Sequence, residues 1–291
     1  MPSNSRDIRR RIKSVKNIGQ ITKAMELVSA AKMRKAQAAA TASRPYAKLS
    51  GELLVNLAGR TGEANHPLMN RMIEKPGISP TKILAILITS DRGLAGAFNA
   101  NVINQAFGLI KNEGSKRFDF ITVGKKGSGV IKRIKSQIIA AFPVKDKTIT
   151  INDARPIVQI AREEFIKGTY EKVFIIFSEF VSTLVQKPNI LQLLPFSTAV
   201  DAKEQEEFLF EPSADDVLET AINRAVEFRI FQSLVEAAAS EHSARMVAMR
   251  NANEAAGDLI DDLSLSYNQA RQAGITRELS EISAAKLAME G

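Results

Sequence analysis

Apolar residues recur every three or four positions near the start of the chain. Residues 5–42 contain no proline and are rich in good helix formers. Their large apolar residues follow one another at helical spacing: Ile8, Ile12, Val15, Ile18, Ile21, Met25 and Val28. Such a stripe on an otherwise charged segment predicts a long helix that buries these residues against a partner.

The C-terminal part of the chain shows a longer and more regular pattern. Ser213 and Asp216 have the spacing of a capping box, which predicts a helix start, and no proline follows. A spacing of three and four residues then runs from Leu218 to Gly274 through positions that are mostly apolar or small, with Gln232, His242 and Asn253 as the polar exceptions. A seam of this length is typical of a coiled coil.

The middle of the chain has short apolar runs instead of helical periodicity. Three of them, at Ile83–Ile88, Phe118–Val123 and Val173–Phe177, are typical of strands covered on both faces. Helical patterns at about 97–112, 127–135 and 153–167 separate them. This alternation predicts an α/β domain with a mainly parallel sheet, inserted between two long helices that can pair antiparallel.

These patterns divide the chain into three segments. We expect an N-terminal coiled-coil helix at 1–60, an inserted α/β domain at 75–210 and a C-terminal coiled-coil helix at 211–291. The Pro- and Gly-containing stretch Lys75–Pro80 leads into the domain, and Phe208–Phe210 is expected to be an edge segment near its end.

Charge separates the two ends of the chain. The net charge is +8, but residues 1–48 carry +10 and residues 215–291 carry −6. Opposite charges at the two ends favour their pairing side by side. A basic helix also raises the alternative of a coiled-coil nucleic-acid binder. Aromatic residues are scarce and do not alternate with the lysines, so an acidic protein partner is the preferred interpretation.

Composition excludes several kinds of chemistry. With no cysteine, the chain has neither disulfides nor thiolate nucleophiles nor cysteine-bound metals. His66 and His242 are its only histidines, and neither stands beside residues that would complete a catalytic group. We also expect no signal peptide and no membrane-spanning helix. The sequence therefore assigns no catalytic residue, cofactor-binding residue or metal ligand.

Two glycine-containing turns keep a second alternative open. Ser90–Gly96 and Gly124–Gly129 each follow a predicted strand and precede a helix, where α/β proteins bind phosphates. Neither matches a dinucleotide or P-loop motif, since Val130 stands where a P-loop has its lysine. The structural interpretation is that Asp91 caps the following helix and the glycines permit tight turns. The alternative is a nucleotide-binding α/β enzyme with helical extensions.

Three segments together resemble the γ subunit of F-type ATP synthase. The first begins with Ile8-Arg9-Arg10-Arg11-Ile12-Lys13 and continues through Ile21-Thr22-Lys23-Ala24-Met25-Glu26-Leu27-Val28. The second is the Ser90–Gly96 turn. The third runs from Ala239-Ser240-Glu241-His242-Ser243-Ala244-Arg245-Met246 to Ala270-Arg271-Gln272-Ala273-Gly274-Ile275-Thr276. The resemblance extends over essentially the whole chain and is of the bacterial type, without the cysteine-bearing insertion of chloroplasts.

The resemblance implies a rotor without catalytic residues. The terminal helices would form an antiparallel coiled-coil shaft inside the hexameric ring of α and β subunits. The inserted Rossmann-like domain would lie at its foot with ε and the membrane c-ring. Proton flow would then drive rotation that changes the conformation of β, where Mg-ATP and ADP bind. The complex would lie on the cytoplasmic face of a bacterial inner membrane, with this chain as a peripheral subunit.

The resemblance also implies two groups of contacts with β. Arg271, Gln272 and Thr276 match the polar cluster where the shaft meets β loops. Lys23, Lys32, Arg34 and Lys35 match the basic face near an acidic loop of β, and Met25 lies in the same stretch. We expect these eight residues to carry the coupling between rotation and catalysis.

Overall fold

The computed structural model describes residues 5–61, 66–69, 82–114, 116–145, 148–196 and 213–290. In these ranges the elements are α1 (Ser5–Thr61), β1 (Lys82–Ile88), α2 (Phe98–Asn112), β2 (Arg117–Val123), α3 (Lys125–Arg133), β3 (Gln137–Phe142), α4 (Ile151–Ile166), β4 (Lys172–Phe180), β5 (Gln186–Leu194) and α5 (Ala214–Glu290). The segments Lys75–Pro80 and Phe208–Phe210 lie outside the described residues, as do the boundaries at 75 and 210. The three-segment division therefore stays a prediction.

The five strands form one mixed sheet in the order β3-β2-β1-β4-β5. β1 pairs in parallel with β2 and β4, β2 pairs in parallel with β3, and β5 runs antiparallel to β4. The expected α/β class with a mainly parallel sheet between two long helices is confirmed.

Both faces of the sheet are covered by helices. On one face Ile83, Ala85 and Leu87 pack against α2 and α3. On the other, Leu84 and Ile86 pack against α4 and α5. Successive side chains of a strand point to opposite faces, so β1 needs apolar residues at every position. This explains the unbroken apolar run in the sequence.

The strands β3 and β5 were not predicted from the sequence. They lie at the two edges of the sheet, and most of their residues are only partly buried. β5 also contains Pro188, which cannot donate to a ladder and is tolerated at an edge. Edge strands lack the continuous apolar run that revealed the central strands.

The chain forms two compact units. The sheet unit comprises Ala30–Arg245, and the coiled-coil unit combines Met1–Ser29 with Met246–Gly291. In the sheet unit α1 and α5 run antiparallel, since Ser43 Oγ lies 2.5 Å from Gln232 Oε1 and the rings of Tyr46 and Phe228 are 4.7 Å apart. α5 also packs against the sheet between Leu218 and Ala237. Its first part therefore belongs to the α/β core.

In the coiled-coil unit the two helices are also antiparallel. Glu26 Oε1 accepts a hydrogen bond from Arg250 Nε at 3.4 Å. A Cβ atom placed on Gly19 would lie 3.6 Å from Cβ of Ala256, so the helices approach closely there. The antiparallel pairing expected for two helices that flank an inserted domain is thus confirmed within each unit.

The seam that α1 buries differs from the predicted stripe. Ile8 is buried, but Ile18, Ile21 and Val28 are 52%, 59% and 56% exposed. The helix instead turns small and polar residues toward α5 after Val15, at alternating steps of four and three: Gly19, Thr22, Glu26 and Ser29. The predicted burial of Ile18, Ile21 and Val28 was therefore wrong. A strict heptad alternation from Ile8 leads to Gly19, not to Ile18.

The C-terminal seam follows the prediction closely. From Leu218 to Ala270 its positions are buried or half-buried, whereas Gly274 is exposed. The predicted helix start is confirmed: Ser213 caps α5, because its Oγ accepts from Asp216 N at 3.2 Å, and the Ser213 hydroxyl also donates to Asp216 Oδ2 at 2.6 Å. Across the described ranges, no helix has both the length and the apolarity that a membrane crossing requires.

Candidate functional site

The two glycine-containing turns bind each other. A helix begins with four backbone N–H groups that have no partner inside the helix, and these are what a phosphate-binding turn offers. In α3 all four are used within the protein: Gly124 N donates to Phe142 O, Lys125 N to Asp91 Oδ1, Lys126 N to Ser90 O and Gly127 N to Thr89 Oγ1, at 2.9–3.1 Å. This turn therefore presents no unpaired amides to a nucleotide.

The absence of a side chain on glycine allows the two turns to pack closely. Gly124 has φ +95°, and a Cβ atom there would lie 2.2 Å from Thr89 O. Asp91 was expected to cap α2, but its carboxylate accepts from Lys125 N of α3 and from Val144 N at 3.2 Å. The expected cap was thus assigned to the wrong helix. Lys125 and Lys126 are exposed.

The segment Ser240–Arg245 fastens α5 to the carboxyl edge of the sheet. Ser240 Oγ donates to Ser178 O of β4 at 3.0 Å, and Ser243 Oγ donates to Thr183 O at 2.5 Å. Arg245 donates to Gly93 O at 3.4 Å and forms an ion pair with Glu241 at 2.7 Å. This segment, which carries part of the resemblance, therefore joins the helix to the Ser90–Gly96 turn.

The Glu241–Arg245 pair is buried, with both side chains 9% exposed. Burial raises the pKa of Glu241, although the Arg245 guanidinium and the charge of Lys32 oppose the shift.

His242 lies on the seam, and its Nδ1 is 3.4 Å from Arg245 Nη1. The ring of His66 accepts from Leu68 N at 3.1 Å, and burial lowers its pKa. In the part of the chain that the structure describes, no three acidic or histidine side chains are arranged to hold a metal ion.

Lys23 belongs to a small ion cluster on the coiled-coil unit. Lys23 Nζ donates to Glu26 Oε2 at 3.0 Å, while Arg250 binds the other oxygen of this carboxylate. The hydrogen bond from Lys23 is the main cause that lowers the pKa of Glu26. Lys23 remains exposed and Met25 beside it is half-buried. Both residues thus border the seam without filling it.

The other basic positions lie in the sheet unit. Arg34 and Lys35 are exposed, and Lys32 is half-buried and close enough to Glu241 to influence its charge. Arg34 and Lys35 are therefore more accessible to a partner than Lys32.

Arg271, Gln272 and Thr276 lie on an exposed stretch of α5. Thr276 Oγ1 donates to the backbone oxygen of Gln272 at 3.0 Å, one turn earlier. Because Glu26 pairs with Arg250, these residues lie about 30–40 Å farther along α5 than the Lys23 cluster, at about 1.5 Å per residue. The structure therefore does not bring the two predicted groups on this unit together.

An exposed apolar surface accompanies Lys23 and Met25. Ile18, Ile21, Leu27 and Val28 are all more than half exposed. Three of them stand one residue before a seam position, so they form a second face beside the buried seam. Ile18, Ile21 and Val28 of this face belong to the stripe that the sequence predicted to be buried against a partner. The heptad spacing is the signal that could have identified it as a separate surface.

Comparisons with known proteins agree with this architecture. The sequence model of a family described as ATP synthase matches residues 4–289. An ATP synthase gamma chain from Pelotomaculum thermopropionicum is 44% identical over 292 residues, covering 100% of both chains. One from Opitutus terrae is 43% identical over 303 residues, covering 98% of this chain and 99% of the relative. The chain belongs to the ATP synthase gamma chain family.

Solved structures share the fold at lower sequence identity. A chain of the Euglena gracilis mitochondrial ATP synthase, solved with OSCP, F1 and the c-ring, gives a TM-score of 0.68 at 21% identity, over 98% of this chain and 94% of that one. A chain of the Tetrahymena thermophila central stalk and c-ring gives 0.62 at 23% identity, over 80% and 99%. The gamma chain family was the one inferred from the motifs. Neither the nucleotide-binding enzyme nor the nucleic-acid binder is supported.

Proposed function

We propose that this chain is the rotor of the central stalk of a proton-translocating ATP synthase. Its terminal helices turn inside the ring of α and β subunits, and the inserted domain lies with ε and the membrane c-ring. The complex sits on the cytoplasmic face of the bacterial inner membrane, which this chain does not enter. Rotation couples proton flow to ATP synthesis and hydrolysis, and this coupling regulates both.

The observation that carries the proposal is the double role of α5. One helix of 77 residues begins within the apolar core of the sheet unit and continues to Glu290 in the coiled-coil unit. Ser240, Ser243 and Arg245 attach it to the carboxyl edge of the sheet. A torque applied to the domain is therefore delivered to the helix through packed side chains and hydrogen bonds.

Coupling requires that the shaft contacts the ring subunits unequally. An asymmetric shaft favours a different conformation in each β subunit, and such differential contacts are what shift an equilibrium. We assign these contacts to exposed residues: Arg34 and Lys35 for an acidic β loop, Arg271, Gln272 and Thr276 for polar β loops, and Ile18 and Ile21 for apolar ring surface. We assign a supporting role in these contacts to three residues at the margin of the seam, Lys23, Met25 and Lys32.

This chain contributes no catalytic residue and binds no cofactor of its own in the proposed mechanism. Mg-ATP and ADP bind on the α and β subunits, and phosphoryl transfer takes place there. One of the two turns considered as phosphate sites, Gly124–Gly129, has its first amides bonded to Thr89, Ser90, Asp91 and Phe142, which supports this division of labour.

The decisive experiment is to express the chain with α and β subunits and follow rotation. We expect copurification as an active ATPase. A bead attached to an exposed residue of the inserted domain, such as Leu184 replaced by cysteine, should rotate during hydrolysis. Hydrolysis with a stationary bead, or failure to assemble with α and β, would contradict the proposal. Micromolar binding of ATP to the isolated chain would instead favour the nucleotide-binding alternative.

A further inference from the structure

A cavity of about 260 Å³ lies in the sheet unit at the carboxyl ends of β1, β2 and β3. The first turns of α4 and the face of α5 around residues 234–241 complete its walls. Ile88, Val123, Phe142, Ile157 and Leu234 make the lining mainly apolar. In open α/β sheets the carboxyl edge is where ligands bind, and the volume approaches that of small-molecule sites.

A buried carboxylate lines this apolar space. Glu241 Oε1 accepts from Arg245 Nη2 at 2.7 Å. A carboxylate offers about four acceptor positions, so the bond to Arg245 leaves capacity for a second donor. Arg245 already neutralises the charge, and burying a further cation would be costly. A neutral N–H or O–H group therefore suits Glu241 better than an ammonium group.

The other charged side chains of the lining are paired with each other. Lys145 and Asp153 form an ion pair, and Asp153 also accepts from Thr150 N at 2.9 Å. Lys145 is largely exposed, so this pair marks the solvent side of the cavity. The lining thus combines an apolar body with Asn152 and the Lys145–Asp153 pair on its exposed side, and with the buried Glu241 carboxylate, whose bond to Arg245 leaves acceptor capacity.

We propose that this cavity binds a small, neutral, mainly apolar molecule whose N–H or O–H group donates to the Glu241 carboxylate. The walls come from three strands, α4 and α5, so the bound molecule bridges the sheet and the long helix. Binding to the folded state alone stabilises the sheet unit by mass action. The inference rests on the cavity and does not depend on the proposed rotor function.

Indole and indene form a matched pair of probes, because they have the same shape but only indole has an N–H group. We expect saturation-transfer NMR on the full chain to detect indole at millimolar concentration. Indene should bind about tenfold more weakly, the ratio expected for one hydrogen bond to a charged acceptor.

Two variants test the assigned contacts. Glu241→Gln keeps the shape and an oxygen that accepts from Arg245, but it replaces the second acceptor with an NH₂ donor. The difference between indole and indene should therefore disappear. Val144→Trp adds bulk to the half-buried cavity lining and should abolish binding of both probes. Val181→Trp, on an exposed residue outside the lining, is the control and should change neither affinity.

Three results would overturn the proposal. The first is no saturation transfer from indole to the wild-type chain at millimolar concentration. The second is equal binding of indole and indene by the wild-type chain. The third is unchanged indole affinity in Val144→Trp, which remains informative if Glu241→Gln fails to fold.

Discussion

Arg245 shows how single residues fix the junction between α5 and the sheet. Its guanidinium neutralises buried Glu241 and reaches Gly93 O of the turn after β1. Thr89 and Gly124 act at the same edge, where the two turns approach so closely that a Cβ atom on Gly124 would lie 2.2 Å from a backbone oxygen. The role of each of these residues is therefore set by the groups that it contacts.

Replacing Arg245 by alanine should strongly destabilise the sheet unit. The change leaves the Glu241 carboxylate buried without its counter-charge, which costs about 3 kcal/mol. Hydrogen exchange of the β4 amides would report this loss. Arg250→Ala removes an exposed partner of an ion pair and should cost about 1 kcal/mol or less. Equal losses in the two variants would contradict the assignment of Arg245 as a buried partner.

Alanine should have opposite effects at two glycines of the same helix region. Gly124→Ala introduces a clash with Thr89 O at positive φ and should lower the free energy of unfolding by about 3 kcal/mol or more. Gly129 lies inside α3 with open space around its Cα, so Gly129→Ala should raise it by about 0.5–1 kcal/mol. Urea denaturation of the full chain followed by circular dichroism compares them. A neutral Gly124→Ala would show that the turns are not tightly packed.

The two long helices show what spacing alone decides at the scale of an element. On α5 the predicted seam is the observed one from Leu218 to Ala270. On α1 the strongest apolar stripe is not the seam, because Gly19 and its neighbours allow close approach to α5. The large residues Ile18, Ile21 and Val28 then face outward, where the proposed ring subunits would cover them.

In the isolated chain, alanine substitutions distinguish the buried seam of α1 from its exposed apolar face. Ile8 is 4% exposed, so Ile8→Ala should cost about 2 kcal/mol or more. Ile21 is 59% exposed, so Ile21→Ala should change stability by about 0.5 kcal/mol or less. Hydrogen exchange in the first turns of α1 measures both. If Ile21→Ala lost more stability than Ile8→Ala, the predicted apolar stripe would be the buried seam of α1.

The Glu26 cluster should make the coiled-coil unit sensitive to acid. Lys23 and Arg250 lower the pKa of Glu26 in the folded state below its ordinary value of 4.5. The carboxylate therefore stabilises the fold above about pH 4.5, and this contribution is lost as the pH falls through the lowered pKa. Glu26→Gln should flatten this part of the stability profile. Thermal melts between pH 3 and pH 7 test the prediction, and parallel profiles for both proteins would contradict it.

The whole molecule is organised around the continuity of α5. The helix contributes a layer of the α/β core in one compact unit and half of the coiled coil in the other. The spacing of apolar residues along α5 does not reveal this sharing, because the seam runs through both units at the same steps of three and four. A rotor needs such sharing, because force applied to the domain has to reach the residues proposed to contact β.

The double variant Arg271→Ala, Gln272→Ala should impair coupling without unfolding the chain. Both side chains are exposed and alanine is a good helix former, so the helix is retained. If these residues contribute about 1.4 kcal/mol or more to the contact with β, the rate of ATP synthesis by the reconstituted complex falls by about tenfold or more.

The matched control replaces Asp261 and Asp262, two exposed residues on the same helix, by alanine. This variant should synthesise ATP at nearly the rate of the unmodified complex. Synthesis rates in vesicles with an imposed proton gradient provide the measurement. Equal rates in the two double variants would remove Arg271 and Gln272 from the coupling contacts.

The sequence alone determined the helices and strands in which buried residues recur at regular spacing. The central strands are covered on both faces and the α5 seam faces a partner along most of its length, so each leaves an apolar pattern. Only the tertiary structure decided the edge strands β3 and β5 and the bonding between the two glycine turns. These depend on which surfaces remain uncovered and on how closely two backbones approach, and neither quantity is encoded in the spacing of apolar residues along one segment.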